Sequence, residues 1–411
     1  MRILMLAQFY APVVGGEERM TETLAVSLAR RGHDVAVATL RQQDRPAFEE
    51  RDGVRVHRVG GIAQRLPFLF SDSGRRHHPP APDPETVLAL RRVIAAERPE
   101  VVHGHNWMAL SYLPLRRAGA SAAYLLSLHD YSLICANKRL MRRGSPCSGP
   151  GPLKCLRCAA DWYGAAGGPP VALATMLSGA VQRRAVDLFL PVSREVARRC
   201  GLDSGRAPYE IVPNFLIDQP PQSAEAELAG LPPGEFVLYV GDVAADKGVA
   251  TLLAAHAQLP AGTQLALIGR VVEPELIAGE HPAVTALGML GHDAVMAAWR
   301  RATVAVVPSI TGETFGLVAL EAMACGVPVV ASNVGGLPEV LGSDGGILVE
   351  AGDPSALAGA LGRLLADVRE RERLGAAGSR RAAERFTAAA VLPSVEAAYQ
   401  RALAGRAGAT A

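Results

Sequence analysis

The stretch Ser309-Ile-Thr-Gly-Glu313-Thr314-Phe315-Gly316-Leu317-Val-Ala-Leu-Glu321-Ala-Met-Ala-Cys-Gly326-Val-Pro328-Val-Val constrains this chain more than any other. Val304–Val307 is an apolar strand that runs into a turn over Pro308–Gly312. A helix is expected to open near Phe315 and close at Gly326, with Pro328 leading into the next strand. Its first turn presents the backbone amides of Phe315, Gly316 and Leu317, and Gly316 lets a ligand approach the backbone closely. Unpaired N–H groups and the helix dipole both favour an anion there. Glu313 stands just before this helix and Glu321 within it. Carboxylates beside an anion site make sense as acceptors for sugar hydroxyls. The pattern therefore points to a nucleotide-sugar: amides for a diphosphate, one Glu for a ribose, one for the transferred sugar. The competing reading is an amphipathic helix under a parallel sheet, with Glu321 on its solvated face.

At 411 residues, two domains are the default. No apolar run is long enough to span a bilayer, and Arg2–Tyr10 reads as a buried first strand rather than a signal peptide. A cytoplasmic location with reduced thiols is the expectation. The net charge of +2 hides an asymmetry. Residues 1–215 carry 29 Lys plus Arg against 19 Asp plus Glu, roughly +10, and the remainder is acidic. A basic half suits an anionic partner, such as a lipid head group at the inner membrane face or a pyrophosphate-linked acceptor. Nucleic acid is disfavoured, because the Arg pairs are dispersed and few aromatics accompany them.

The Glu-x7-Glu frame enclosing Phe-Gly-Leu, followed by Gly335-Gly336-Leu-Pro-Glu339, resembles the retaining glycosyltransferases of the GT-B fold, family 4. The resemblance covers most of the chain and is densest from Gly241 to Leu348. It implies an α/β fold of two Rossmann-like domains facing across a cleft, with a C-terminal helix crossing back to the first. The expected boundaries are 1–215 for the acceptor domain, 216–385 for the nucleotide-sugar domain and 386–411 for the returning helix. It further implies a UDP-, GDP- or ADP-sugar donor and a hydroxyl acceptor that could be lipid-linked, in polysaccharide or glycolipid synthesis.

The first half alternates short apolar runs with amphipathic stretches, as a parallel sheet requires. Strands are expected at Ile3–Gln8, Val35–Thr39, Val54–Val59, Val101–Gly104, Ala123–Leu128 and Leu188–Val192. Helices are expected at Glu17–Arg31, Pro84–Glu97, Met108–Arg117, Val171–Arg184 and Arg194–Gly201. Gln42–Pro82 reads as loop apart from one strand. The turn Ala11–Glu18 lacks the dinucleotide Gly-x-Gly-x-x-Gly pattern, which disfavours hydride transfer. Gly15 and Gly16 would allow backbone conformations closed to other residues, and the resemblance places the donor phosphate or acceptor against them. His105 and Asn106 end one strand, and His129 and Asp130 the next. The resemblance puts His129 against the transferred sugar as a positioning group. Asn214 lines the cleft by resemblance, just before a hinge through Pro220-Pro221-Gln222.

Four of the six cysteines, Cys135, Cys147, Cys155 and Cys158, fall in an insertion at 131–165. A loop-rich segment buries little apolar surface, so a structural zinc, an iron–sulfur cluster or disulfides could fix it, or the thiols could be free. Lys138, Arg139, Lys154 and Arg157 would offset a tetrathiolate centre.

The second half opens at Phe236–Val240, followed by Gly241-Asp242 and by Lys247-Gly248, where a helix is expected to begin. The chain has only three lysines, Lys138, Lys154 and Lys247. The resemblance gives Lys247 the donor pyrophosphate but expects Arg where Asp242 stands. Arg270, after Leu267-Ile268-Gly269, could restore the guanidinium from the neighbouring strand. There is no Asp-x-Asp pair, so no catalytic divalent metal is implied. His129, Lys247 and Glu313 are the expected catalytic set. Gly15, Gly16, Asn214, Gly241, Arg270, Thr314, Phe315, Gly316, Leu317 and Glu321 are the expected donor contacts. A nucleotide-sugar epimerase, a non-catalytic binding subunit and a metal or redox sensor are the alternatives.

Overall fold

A computed structural model describes residues 1–11, 15–42, 45–65, 76–216, 228–279 and 283–410. The hinge at Pro220–Gln222 and, of the 42–82 stretch, residues 43–44 and 66–75 lie outside these residues. The chain forms two units. Unit 1 comprises Met1–Leu140, Cys147–Pro213 and Val391–Ala411, and unit 2 comprises Met141–Pro146 and Asn214–Ala390. The crossing thus falls two residues before the expected 215, and the return at 391 rather than 386.

Unit 1 is built on strands β1 (Arg2–Ala7), β2 (Asp34–Leu40), β3 (Phe48–Arg51), β4 (Val54–Val59), β5 (Val101–Gly104) and β6 (Ala123–Leu128). The hairpin strands β7 (Met141–Arg142) and β8 (Ser145–Pro146) come next in the chain but group with unit 2, and β9 (Leu188–Pro191) completes the first sheet. Its order is β3-β4-β2-β1-β5-β6-β9, parallel except for β3. Central strands buried on both faces read as unbroken apolar runs, which is why Ile3–Ala7 and Ala123–Leu128 are legible. β3, Phe-Glu-Glu-Arg, is a solvated antiparallel edge and carries no such run.

The helices of unit 1 are α1 (Gly16–Arg30), α2 (Pro84–Glu97), α3 (Leu113–Arg117), α4 (Pro152–Ala185) and α5 (Arg194–Arg199). A 3-10 turn over Trp107–Tyr112 precedes α3, so the expected single helix from Met108 is split at Pro114. α4 corrects the expectation of a loop. It begins at Pro152, inside the Cys segment, and runs through Cys155 and Cys158 with a kink at Gly164, where φ is 81°. Pro at the first helical position and the straight-chain run Leu-Lys-Cys-Leu-Arg-Cys-Ala-Ala favour helix there.

Unit 2 carries a fully parallel sheet of β10 (Phe236–Val240), β11 (Gln264–Ile268), β12 (Val284–Gly288), β13 (Val304–Val307), β14 (Val329–Ser332) and β15 (Ile347–Val349), ordered β12-β11-β10-β13-β14-β15. Its helices are α6 (Val249–His256), α7 (His292–Arg301), α8 (Leu317–Ala324), α9 (Leu337–Leu341), α10 (Pro354–Ala366) and α11 (Val368–Arg385). α12 (Ala388–Thr410) follows and joins unit 1 from Val391 onward. Its Tyr399, fully buried, shares a 2.8 Å hydrogen bond with His103 Nδ1, and its Glu396 accepts two bonds from Arg31.

Both sheets reverse their order beside the first strand. β1 lies between β2 and β5, and β10 between β11 and β13. Helices leave such a pair in opposite directions, which opens a crevice at the carboxyl ends of the two strands.

Candidate functional site

At the reversal point of unit 2, the segments after β10 and β13 meet. Lys247 Nζ donates to Glu313 Oε2 at 3.2 Å, and Ser309 Oγ contacts the same oxygen at 3.4 Å. Both charged groups keep a face to solvent. Lys247 does not open a helix as expected. It ends a 3-10 turn, and Gly248, at φ 76°, turns the chain into α6. A Cβ on Gly248 would lie 1.9 Å from the Pro308 carbonyl oxygen. Only glycine tolerates both the left-handed backbone and that approach, so Gly248 is what lets the β10 and β13 turns touch.

α8 opens at Leu317, two residues after Phe315, because Gly316 caps it in the left-handed region at φ 107°. Phe315 is therefore not an amide donor of the first helical turn. Its side chain is buried, edge-on to Phe386 at 5.7 Å. Leu317 and the residues after it carry the amides that lack helical partners. Thr314 precedes them and is half-buried. Glu321, one turn into α8, is buried, with His292 Nδ1 3.8 Å from its Oε1. The Gly335-Gly336 turn fixes this loop from below. Gly336 N–H donates to the Glu313 carbonyl at 3.0 Å, and a Cβ on Gly335 would fall 1.7 Å from that same oxygen.

Asp242 and Arg270 stand side by side two residues past the paired Val240 and Ile268. Arg270 Nη2 donates to Asp242 Oδ2 at 2.8 Å. Gly241 and Gly269 allow the two strand ends to close, since a Cβ on Gly269 would meet the Gly241 oxygen at 1.9 Å. The acid at 242 thus holds a guanidinium on the adjacent strand. Tyr239 O–H donates to the Asp242 carbonyl at 2.6 Å, and burial, aided by nearby acids, keeps that phenol protonated.

Unit 1 gathers its polar residues at its own reversal point. Glu17, in the first turn of α1, accepts a 2.6 Å bond from Asn106 Nδ2 at the end of β5. Asn106 Oδ1 accepts from the amides of Gln8 and Met108, which fixes its –NH2 toward Glu17. Burial first, then the Asp130 carboxylate, pushes the Glu17 carboxyl up to about 8, against the opposing pull of Lys138. Glu17 belongs to no motif in the sequence; its place after β1 at a reversal point is the available signal. His129 Nε2 and His105 Nδ1 are 3.0 Å apart with rings stacked at 16°. Burial and the neighbouring histidines push His105 well below its ordinary value, and burial lowers His103 to about 3. Gly15 and Gly16 need no special backbone. Gly15 is extended at φ −175°, and what it supplies is room for the Glu18 carboxylate, 2.0 Å from where its Cβ would sit. Asn214 is buried at the start of unit 2.

The four clustered cysteines form no disulfide. Among the described residues no three His, Cys, Asp or Glu converge as a metal would need. Cys135 Sγ contacts Asn137 Oδ1 at 3.0 Å, and Asn137 Nδ2 lies 3.8 Å from Cys158 Sγ, so an amide stands between these two sulfurs. Cys147 and Cys155 take backbone partners instead, the Gly149 carbonyl and the Gly151 amide. Burial pushes Cys135 up to about 11, which keeps it a thiol. The cations expected to offset a thiolate centre serve elsewhere. Lys138 Nζ lies 4.2 Å over the Trp107 ring, and Lys154 donates to Ser148.

Two α/β units, each with a strand-order reversal in its sheet, match the GT-B fold. The chain belongs to the group 1 glycosyl transferases: residues 234–367 match that family's model, and residues 15–214 match the glycosyl transferase 4-like domain. It is 30% identical over 407 residues to the D-inositol 3-phosphate glycosyltransferase of Xylanimonas cellulosilytica, covering 94% of this chain and 93% of that protein. Its fold is similar to sucrose-phosphate synthase of Thermosynechococcus elongatus, with a TM-score of 0.73, 23% identity, and 98% and 99% of the two chains covered. HepE of Anabaena, in complex with UDP and glucose, superposes with a TM-score of 0.66 at 18% identity, covering 96% of this chain and 98% of that one.

Proposed function

We propose that this glycosyltransferase moves a sugar from a nucleoside diphosphate donor held by unit 2 to a hydroxyl acceptor held by unit 1, with retention at the anomeric carbon, in polysaccharide or glycolipid synthesis. The observation that carries the reading is the Lys247–Glu313 pair at the reversal point of unit 2, directly before the open amides of α8. A lysine beside helix-start amides suits a diphosphate whose charge grows as the glycosidic bond breaks. Lys247 and the α8 amides supply that positive charge in this reading without a catalytic divalent metal. Arg270, steadied by Asp242, adds a second cation on the same sheet edge.

Glu313 accepts hydrogen bonds from hydroxyls of the transferred sugar, and Glu321, buried one turn further, accepts from the ribose. His129, held against His105, positions the sugar. The acceptor hydroxyl attacks from the face the diphosphate leaves, and the departing phosphate oxygen takes its proton. This scheme needs no covalent glycosyl-enzyme. UDP is the first nucleotide to try, since HepE was solved with it. The Cys135–Cys158 segment keeps a structural metal as a proposal only if its thiols rearrange, because Asn137 now separates two of them. Incubation with UDP-, GDP- and ADP-sugars and a panel of polyol acceptors, with the anomeric configuration of the product read by NMR, tests the reading. Transfer with the donor's configuration supports it; inversion overturns the retaining mechanism, and isomerised donor without transfer identifies an epimerase.

A further inference from the structure

The outer face of α4 is built the wrong way round for a helix in water. Its buried positions are small or polar, among them Ala172, Thr175, Gly179 and Gln182. Its large apolar residues face out: Leu153, Trp162, Tyr163, Leu173, Met176 and Leu177, six of the fourteen large exposed hydrophobics among the described residues. Leu173 and Leu177 are 54% and 61% exposed. An ordinary surface helix buries such residues and exposes its polar ones. The cause is local and steric. A Cβ on Gly179 would come within 2.3 Å of the Leu133 carbonyl oxygen, and one on Gly168 within 2.2 Å of the Ala159 oxygen. After the Gly164 kink, which brings Gly168 back against Ala159 of the same helix, α4 packs through Gly179 too closely for a leucine at that position.

The charge of this helix is mostly positive. α4 contains Lys154, Arg157, Arg183 and Arg184 against the single acid Asp161. At its C-terminal end, Arg184 shares one crevice with Arg116 and Arg117. Just before the Gly164 kink the Arg139 guanidinium lies 5.4 Å over the Trp162 ring. No helix among the described residues is long and apolar enough to cross a membrane. Exposed apolar side chains, flanking cations and too little hydrophobicity to insert are the properties of a helix that lies in the plane of a bilayer surface. Arginine on both flanks complements anionic head groups, and the roughly +10 charge of residues 1–215 would draw the same face toward them.

We propose that the exposed face of α4 docks unit 1 on an anionic phospholipid surface, with Leu173, Met176 and Leu177 entering the head-group boundary and Arg117 and Arg184 contacting phosphates. The inference does not depend on the donor chemistry. Tryptophan fluorescence gives a direct readout, since Trp107 and Trp299 are buried and Trp162 is the remaining tryptophan of the chain. Vesicles of phosphatidylcholine mixed with phosphatidylglycerol should blue-shift the emission and carry the protein down in a co-sedimentation assay. Phosphatidylcholine alone should do so weakly, and added salt should weaken the mixed-vesicle binding. Leu173→Glu/Leu177→Glu should cut partitioning by about tenfold or more, with an unchanged melting curve and unchanged response to UDP. Arg117→Glu/Arg184→Glu should remove the salt dependence. Wild-type protein that ignores the mixed vesicles, or a double-Glu variant that binds them as well as wild type, overturns the proposal. Self-association of the wild type that the double-Glu variant loses would overturn it in favour of a second copy on this face.

Discussion

Lys247 is the residue on which the chemistry turns. Its ammonium sits 3.2 Å from Glu313 and its side chain is 35% exposed, so removing it opens no core cavity. Lys247→Ala should therefore leave the fold intact by circular dichroism and lower kcat by about 10²–10³-fold, the usual loss when one preorganised charge-stabilising group is removed. Arg270→Ala should weaken donor binding by less, since its pair with Asp242 is largely exposed and screened. Glu17 offers a pH test. Its folded-state carboxyl titrates at about 8, above the ordinary value of 4.5, so the folded protein keeps a proton that the unfolded chain has lost. The stability tied to that proton is present below 4.5 and drains as pH rises toward 8. Glu17→Gln, which cannot ionise, should gain melting temperature relative to wild type between pH 6 and pH 9, where about half to nearly all of that stability is lost. A constant difference across that range would show that Glu17 titrates normally.

At the scale of elements, glycines decide what the loops can hold. Gly248→Ala would drive a methyl group into the Pro308 carbonyl from a left-handed backbone. It should cost about 1–3 kcal/mol or more and lower donor affinity together with melting temperature, whereas Lys247→Ala should spare the latter. Much of this was legible in the sequence. β1, β6 and β13 are unbroken apolar runs because parallel strands are buried on both faces. Glu313 and Glu321 stood out because carboxylates flanking a glycine-rich helix start have few structural uses. What escaped has physical reasons too. β3 is a solvated edge strand with no apolar run. The start of α4 was taken for loop because its cysteines suggested ligands, while its helix-forming neighbours decided the backbone. The two-residue delay of α8 follows from the left-handed Gly316, which no periodicity records. Glu17 escaped because its environment is made by Asn106 and Asp130, distant in sequence and adjacent only once β1, β5 and β6 align.

For the whole molecule, two units with the same strand-order reversal each present a polar site, and α12 ties the end of the chain to unit 1. Tyr399→Phe removes the hydroxyl that partners the buried His103. It should cost about 1–3 kcal/mol, as an orphaned buried polar group does, and leave nucleotide binding unchanged, because His103 lies in unit 1. The central claim is that the reversal point of unit 2 binds a nucleoside diphosphate. It is tested most directly by thermal shift against UDP, GDP and ADP, with wild type, Lys247→Ala and Glu321→Ala in parallel. One nucleotide at about a hundred times its dissociation constant should add about 2.7 kcal/mol of stability to the wild type. That gain should be reduced in Lys247→Ala and lost in Glu321→Ala. No shift with any of the three nucleotides, or a shift that both variants retain in full, would contradict the account.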